Sequence, residues 1–136
     1  MPLNRAAHEL RTLDSGPRAP VAAGYVHRQR VGRFGERLAA RFLEERGARI
    51  IGRNVRLGRG EIDLHAEIDG ASVAVEVKTI VARGSENDAL SQFSDVKADT
   101  VRHYAARLRP PAYRVDLVTV TIREFGAEIR WVPFVA

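Results

Sequence analysis

One stretch, residues 60–78 with the sequence GEIDLHAEIDGASVAVEVK, decides the fold of this chain. Polar and apolar residues alternate on both sides of Asp69-Gly70, a dipeptide typical of two-residue hairpin turns. The pattern predicts two antiparallel strands in which Ile68 pairs with Ala71. The apolar face of the first strand is predicted to consist of Ile62, Leu64, Ala66 and Ile68, and its polar face of Glu61, Asp63, His65 and Glu67.

This register places charged side chains of the two strands directly opposite each other. Asp63 faces Glu76 and Glu61 faces Lys78, with Cβ atoms roughly 4.5–5.5 Å apart. Two carboxylates at that distance repel unless a positive charge lies between them, and hard divalent cations such as Mg²⁺ take oxygen ligands. The hairpin therefore predicts a cation site. The alternative is a solvated polar face that carries a cross-strand ion pair.

The remaining pattern predicts the elements around the hairpin. Apolar residues recur at helical spacing over residues 34–46 and 95–108, and β-rich runs cover residues 48–53, 113–122 and 129–132. The long central run is apolar on both faces, as expected of a strand covered by helices on both sides. The order helix, strand, hairpin, helix, strand, strand predicts an α/β domain with a mixed central β-sheet flanked by helices.

Two charged residues lie on the inward side of the predicted helices. Glu36 falls between Ala39 and Ala40 on the helical wheel, so it is either an acid of a catalytic site or the partner of an arginine at the core edge. Lys97 points to the side of the apolar stripe that includes Val101. Its stem either covers apolar surface while the amine stays in water, or the amine reaches a phosphate.

Length and composition limit the class of protein. A chain of 136 residues fits one domain, and the absence of cysteine excludes disulfides and thiolate metal sites. No apolar run approaches the roughly 20 residues that cross a bilayer. We therefore expect a cytoplasmic protein without a membrane partner.

The net charge of +5 favours a polyanionic partner, but the charge is unevenly distributed. Residues 1–33 contain six arginines against two acids, whereas residues 34–136 are nearly neutral. Prolines and glycines interrupt every short apolar stretch near the N-terminus, so residues 1–30 are predicted to be a flexible basic leader. That leader either attracts nucleic acid without sequence preference or has no role.

The predicted constellation suits hydrolysis of a phosphodiester. The reaction needs an activated water, neutralisation of charge in the transition state and help for the leaving oxygen, and a metal ion held by carboxylates serves all three. Asp63 and Glu76, with the backbone carbonyl of Val77, would hold Mg²⁺ or its substitute Mn²⁺. Lys78 would position or activate the water, and Glu36 would bind the same ion through water or bind a second ion.

The order and spacing of these residues resemble a known family. Asp63, twelve further residues and Glu76-Val77-Lys78 resemble the core motif of the restriction-endonuclease-like superfamily. Glu36 on a preceding helix resembles the arrangement in Holliday-junction resolvases. Most closely, the chain is similar to the YraN family of small, endonuclease-like bacterial proteins. The matching residues are Gly35-Glu36, Ala39-Ala40, Leu43, Gly47, Arg53-Asn54, Gly60-Glu61-Ile62-Asp63-Leu64, Val75-Glu76-Val77-Lys78, Lys97 and Arg114-Val115-Asp116.

The resemblance implies that residues 31–136 form a single domain with a restriction-endonuclease-like core. It implies a Mg²⁺-dependent nuclease that acts on DNA, on branched or single-stranded forms in repair or recombination, with RNA as an open alternative. Lys97, Arg59 and Arg53 are then the expected nucleic-acid contacts. By analogy with resolvases, which cut two strands, a homodimer is expected. The alternative is a binding or adaptor protein that keeps the fold without cleavage, and Ile80, where relatives often carry an arginine, leaves it open.

Overall fold

The computed structural model describes residues 7–12, 25–82 and 95–136. Its elements in chain order are β1 (Ala7–Thr12), α1 (Tyr25–Glu45), β2 (Arg49–Leu57), β3 (Gly60–Ile68), β4 (Ala71–Val81), α2 (Asp95–Ala105), β5 (Val115–Arg123) and β6 (Gly126–Val132). The strands form one sheet in the order β1-β6-β5-β4-β3-β2. Only β4 and β5 are parallel among these pairs, so the predicted α/β class with a mixed sheet is confirmed.

The β3–β4 hairpin has the predicted turn and register. Both residues of the Asp69-Gly70 turn have positive φ, 52° and 80°, as a type I′ turn requires. Ile68 pairs with Ala71, and the ladder continues in the same register to Leu64 and Val75. The local turn signal therefore predicted long-range pairing correctly over this part of the hairpin.

The two helices cover opposite sides of the sheet. Successive residues of β4 alternate between the two cores: Val73 and Val75 pack on the α1 side and Ala74 on the α2 side, as the pleat requires. The fully buried side chains of the larger, α1-side core include Phe42, Leu43, Leu64 and Trp131. Those of the smaller, α2-side core include Ile62, Ala105 and Val115.

Helix α1 lies close to β4 because Gly35 has no side chain. A Cβ atom at this position would overlap the Oγ1 of Thr79 on β4. Glu36 is the next residue in the chain, so this close approach also sets the distance between its carboxylate and the sheet.

The prediction of an irregular N-terminal leader is wrong where the structure describes that part of the chain. Residues Ala7–Thr12 form an edge strand that pairs with β6, and α1 begins at Tyr25, so the predicted boundary at residue 31 falls inside a helix. The strand was missed because β6, with which it pairs, comes from the other end of the chain. The rest of the predicted leader, residues 1–6 and 13–24, lies outside the described residues.

The other elements agree with the predictions except at their ends. Strand β2 extends to Leu57, α2 ends at Ala105, and β6 begins at Gly126. Neither α1 nor α2, the helices of the described ranges, combines the length and the apolar character needed to cross a membrane.

Candidate active site

Strand β3 changes sides at Asp63. Ile62 packs in the α2-side core, whereas Leu64 packs in the α1-side core. Regular alternation would put both on one side, so the prediction that Ile62 shares a face with Leu64 is wrong. The register of the neighbouring strand places Asn54 opposite Asp63, and Asn54 has a φ of 50°, in the left-handed region. This backbone distortion on β2 lies directly opposite the switch.

The β3–β4 ladder opens at the same place. Its regular pairing ends at Leu64 and Val75. Beyond that point the Oδ2 atom of Asp63 accepts a hydrogen bond from the backbone N–H of Val77 at 2.8 Å. The carboxylate of Asp63 therefore replaces the next backbone hydrogen bond of the ladder, and β3 and β4 separate at this point.

Glu61 lies on the α1 side of this opening instead of opposite Lys78. It pairs with Arg56 in the β2–β3 ladder and lines a cleft that Glu36 also lines. The predicted Glu61–Lys78 pairing is wrong as part of the β3–β4 ladder, because that ladder ends before the strands reach either residue.

Glu76 is a buried carboxyl group whose oxygens are incompletely satisfied. Only 6% of the residue is exposed, and its Oε1 atom has no hydrogen-bond partner within the described part of the chain. Its Oε2 atom lies 3.8 Å from the Nζ of Lys97, in the first turn of α2. Asp63 lies close enough to Glu76 that its negative charge raises the pKa of Glu76.

Burial and like charges raise the pKa of three carboxyl groups in this region. Burial, followed by the charge of Asp63, raises the pKa of Glu76 to about 8, against the opposing charge of Lys97. Burial also raises the pKa of Asp63, although a backbone N–H and Lys97 partly stabilise its charged form. On α1, burial and the charges of Asp63 and Glu61 raise the pKa of Glu36 to about 7. Clustered shifts of this kind are typical of functional sites.

A cleft on the α1 side opens onto two of these acids, Glu36 and Asp63. It has a volume of about 530 Å³ and lies between the N-terminal part of α1 and strands β2 and β3. Three of its lining residues are the acids Glu36, Glu61 and Asp63, and two are the arginines Arg33 and Arg56. The cleft therefore combines negative charge near the sheet with positive charge around it.

The arginines around the cleft continue into a second cavity of about 180 Å³, and together they form an arginine border. The second cavity shares Arg33 and Glu36 with the larger cleft and adds Arg37 and Arg53. Guanidinium groups bind phosphate through paired hydrogen bonds. Arg53, one of the residues predicted to contact nucleic acid, is part of this border.

The other predicted residues lie at different distances from this cleft. Lys97 stands beside Glu76, and Lys78 is half-buried two positions further along β4, on the same side of the strand as Glu76. The N–H of Val77 binds Asp63. Arg59 is exposed in the β2–β3 turn and lines neither cavity.

His65 is buried, although alternation placed it on the polar face of the hairpin. Only 3% of the residue is exposed, and its Nε2 atom lies 2.7 Å from the Oγ of Ser72. That hydroxyl donates to the carbonyl of Pro110 at 2.9 Å, so it accepts from His65. Burial lowers the pKa of His65. The segment around Pro110 covers the histidine, which makes it part of the packing.

The side chains in this region fit a Mg²⁺ site that is built from two carboxylates. Among the described residues, no three His, Cys, Asp or Glu side chains stand close enough to form a cage around an ion. Mg²⁺ does not require one, because it usually keeps several waters and binds through one or two carboxylates. Asp63 and Glu76 supply those carboxylates, and the Oε1 of Glu76 is an acceptor that no described residue satisfies.

Sequence reasoning missed Asn54, Arg33 and Arg56 as residues of the site. The signal for Asn54 is present in the sequence, since asparagine tolerates positive φ better than most residues and interrupts an otherwise β-rich run. Arg33 and Arg56 reach the cleft through the packing of α1 beside β2. Periodicity along one element does not reveal such a contact.

The fold is a mixed β-sheet flanked by helices, and two carboxyl groups come together where β3 and β4 separate. Comparison with known sequences identifies the family. The chain belongs to the uncharacterised protein family UPF0102, the YraN family, whose model matches residues 35–120. That segment includes Glu36, Asp63, Glu76 and Lys78.

Individual relatives support the same assignment. A UPF0102 protein of Roseiflexus castenholzii is 50% identical over 115 residues, covering 79% of this chain and 93% of the relative. One from Symbiobacterium thermophilum is 45% identical over 97 residues, covering 68% and 82%. One from Streptomyces griseus is 40% identical over 106 residues, covering 73% and 88%. The names of these relatives state the family and no activity.

Proposed function

We propose that this protein is a Mg²⁺-dependent nuclease that hydrolyses phosphodiester bonds in DNA. The observation that carries the proposal is that Glu76 is buried beside the half-buried Asp63 and that its Oε1 has no partner among the described residues. Burying two adjacent carboxyl groups opposes folding unless their charge is compensated. A divalent cation compensates both groups at once.

The roles of the residues follow from where they lie. When bound, Mg²⁺ supplies positive charge to the phosphate and lowers the pKa of a bound water. Asp63 and Glu76 supply the anionic oxygens that hold it. Lys78, on the same side of β4 as Glu76, adds positive charge for the phosphate and positions the water. Glu36, half-buried across the cleft, orients water through its carboxylate.

Arginines and cleft shape support a nucleic-acid substrate. Arg33, Arg37, Arg53 and Arg56 border the two cavities and match phosphate in charge and geometry. Glu36, Glu61 and Asp63 lie inside a cleft instead of on an open face, so an unpaired strand reaches them more readily than an intact duplex. We therefore propose single-stranded or branched DNA, of the kind formed in repair or recombination, as the preferred substrate.

A second candidate function is nucleic-acid binding without cleavage. The arginine border supports it, because those side chains attract phosphate whether or not the acids hold a metal. In that case Glu76 would contribute nothing to binding, and a Glu76→Gln variant would bind with unchanged, metal-independent affinity.

The experiment that tests the proposal is cleavage of a labelled panel with Mg²⁺ and with Mn²⁺. The panel contains single-stranded, duplex, flap and four-way-junction DNA together with RNA. Wild-type protein is compared with Glu76→Gln and with Glu67→Gln, a control on the same hairpin whose carboxylate pairs with Arg49 at the surface at 3.0 Å.

The proposal predicts metal-dependent cutting by wild type and Glu67→Gln, lost in Glu76→Gln. Preference for unpaired or branched DNA on the same gel would identify the substrate. Binding to the panel without cutting by any of the three proteins would replace the nuclease with the binding function.

A further inference from the structure

Asn54 occupies the one position of β2 that lies opposite Asp63. Its neighbours Arg53 and Val55 pair with Leu64 and Ile62, so Asn54 faces the residue at which β3 changes sides. Its φ of 50° lies in the left-handed region, which asparagine tolerates better than β-branched or bulky residues. The left-handed backbone at this position therefore lies directly across from Asp63.

The side-chain amide of Asn54 bridges two acids of the cleft. With its nitrogen turned toward them, it donates to the Oε2 of Glu36 at 2.9 Å and to the Oε1 of Glu61 at 3.0 Å. The opposite orientation would set the amide oxygen against two carboxylate oxygens, so hydrogen bonding fixes the choice. One NH₂ group thereby joins α1 to β3 across the cleft.

We propose that Asn54 is a positioning residue of this site, holding Glu36 and Glu61 in place through its amide and turning Asp63 into the cleft through its backbone. The consequence for catalysis rests on the proposed nuclease function, whereas the bridge itself does not. Two carboxylates that repel each other drift apart unless a donor lies between them, and an amide supplies two donors without adding charge.

Asparagine is the residue that meets both requirements at this position. Glycine adopts the same backbone conformation but has no side-chain amide. Aspartate has the same shape but replaces the donors with oxygens and adds a further negative charge beside Glu36 and Glu61. A comparison of these two substitutions separates the backbone role of Asn54 from its hydrogen-bonding role.

The first test measures the bridge directly and needs no enzymatic activity. The side-chain NH₂ protons of Asn54 are followed by ¹H–¹⁵N NMR in the wild type. A bridging amide gives shifted resonances with slow solvent exchange, and Glu36→Gln and Glu61→Gln each move them. Resonances that exchange as fast as those of a solvated amide in the wild type would overturn the proposal.

The second test measures the consequence in cleavage. Asn54→Gly keeps the left-handed backbone and removes the bridge, and we expect kcat to fall by about 10- to 100-fold with little change in KM, as for other residues that orient metal-site ligands. The matched control is Asp69→Gly, a second non-glycine residue at positive φ, 52°, in the β3–β4 turn. It is expected to leave kcat unchanged.

A rescue variant distinguishes positioning from a general structural effect. Asn54→Asp is expected to lose more activity than Asn54→Gly, and Asn54→Asp with Glu61→Gln to recover part of it, because the glutamine returns a donor from the opposite side. Full activity in Asn54→Gly would overturn the proposal. If the wild type does not cut nucleic acid, the nuclease function fails while the NMR result still decides the bridge.

Discussion

Two buried carboxyl groups on neighbouring strands, those of Asp116 and Glu76, differ in how many hydrogen-bond partners the fold gives them. Asp116 on β5 is next to Val75 in the parallel register, and Glu76 is the following residue of β4. Asp116 is fully buried, and its oxygens accept from Arg114 twice at 2.8 Å, from the Nε1 of Trp131 at 2.9 Å and from the N–H of Phe134 at 3.0 Å. Glu76 is almost as buried, yet its Oε1 has no partner among the described residues.

The difference lies in compensation rather than in burial. Asp116 has a guanidinium partner and two further donors, so its charge is neutralised within the fold. Glu76 lies beside the like charge of Asp63, its Oε2 is 3.8 Å from Lys97, and no described residue gives its Oε1 a hydrogen bond. A buried acid with complete partners is part of the scaffold, and one without them is a candidate for a functional site.

The largest expected effect comes from breaking the compensated site. Asp116→Ala leaves the Arg114 guanidinium and the Trp131 N–H without their acceptor, so the free energy of unfolding should fall by about 3–5 kcal/mol. Urea denaturation followed by tryptophan fluorescence measures it. A loss below about 1 kcal/mol would mean that this cluster does not stabilise the fold.

The next effect comes from moving α1, which carries Glu36, without altering the hydrogen-bond partners of Asp116. Gly35→Ala introduces a methyl group that overlaps Thr79, so we expect a loss of about 1–3 kcal/mol in unfolding free energy and reduced cleavage. Thr79→Ala in the same chain removes the overlapping hydroxyl and methyl and should restore part of both. Equal stability of Gly35→Ala and wild type would show that α1 does not depend on this close approach.

The uncompensated site should respond in the opposite direction. Glu76→Gln removes a buried charge and lets an amide donate to Asp63, so it should raise the free energy of unfolding by roughly 1–2 kcal/mol at pH 8 without metal. The same variant should lose the stabilisation that Mg²⁺ gives to wild type. Destabilisation by Glu76→Gln, measured by the same urea titration, would place Glu76 with Asp116 among the structural acids.

The smallest effect is a dependence of stability on pH. The folded protein keeps a proton at Glu76, with a pKa of about 8, that the unfolded chain releases near pH 4.5, so stability should decline as pH rises between these values. His65 acts in the opposite direction only below about pH 6.5, because its pKa is lowered on folding. Glu36, whose pKa is raised to about 7, adds a decline of the same sign, so the difference between the profiles of wild type and Glu76→Gln isolates Glu76. Identical pH profiles for wild type and Glu76→Gln would contradict this assignment.

The sequence predicted the part of the hairpin that obeys local rules. Asp69-Gly70 fixes the turn, and alternation then gives the register as far as Leu64 and Val75. It did not predict the side switch at Asp63, which coincides with the left-handed backbone of Asn54 on another strand. The acids were found by their order, but their division between the two sides of the sheet depends on tertiary packing. Strand β1 was missed for the same reason.

Direct binding of Mn²⁺ in the absence of nucleic acid tests the central claim most closely. Electron paramagnetic resonance at pH 8 counts free Mn²⁺ in the presence of wild type, Glu76→Gln and the surface control Glu67→Gln. The account predicts one bound ion for wild type and Glu67→Gln, displaced by excess Mg²⁺, and none for Glu76→Gln. Equal binding by all three proteins, or none by wild type, would contradict the claim that Asp63 and Glu76 form a metal site.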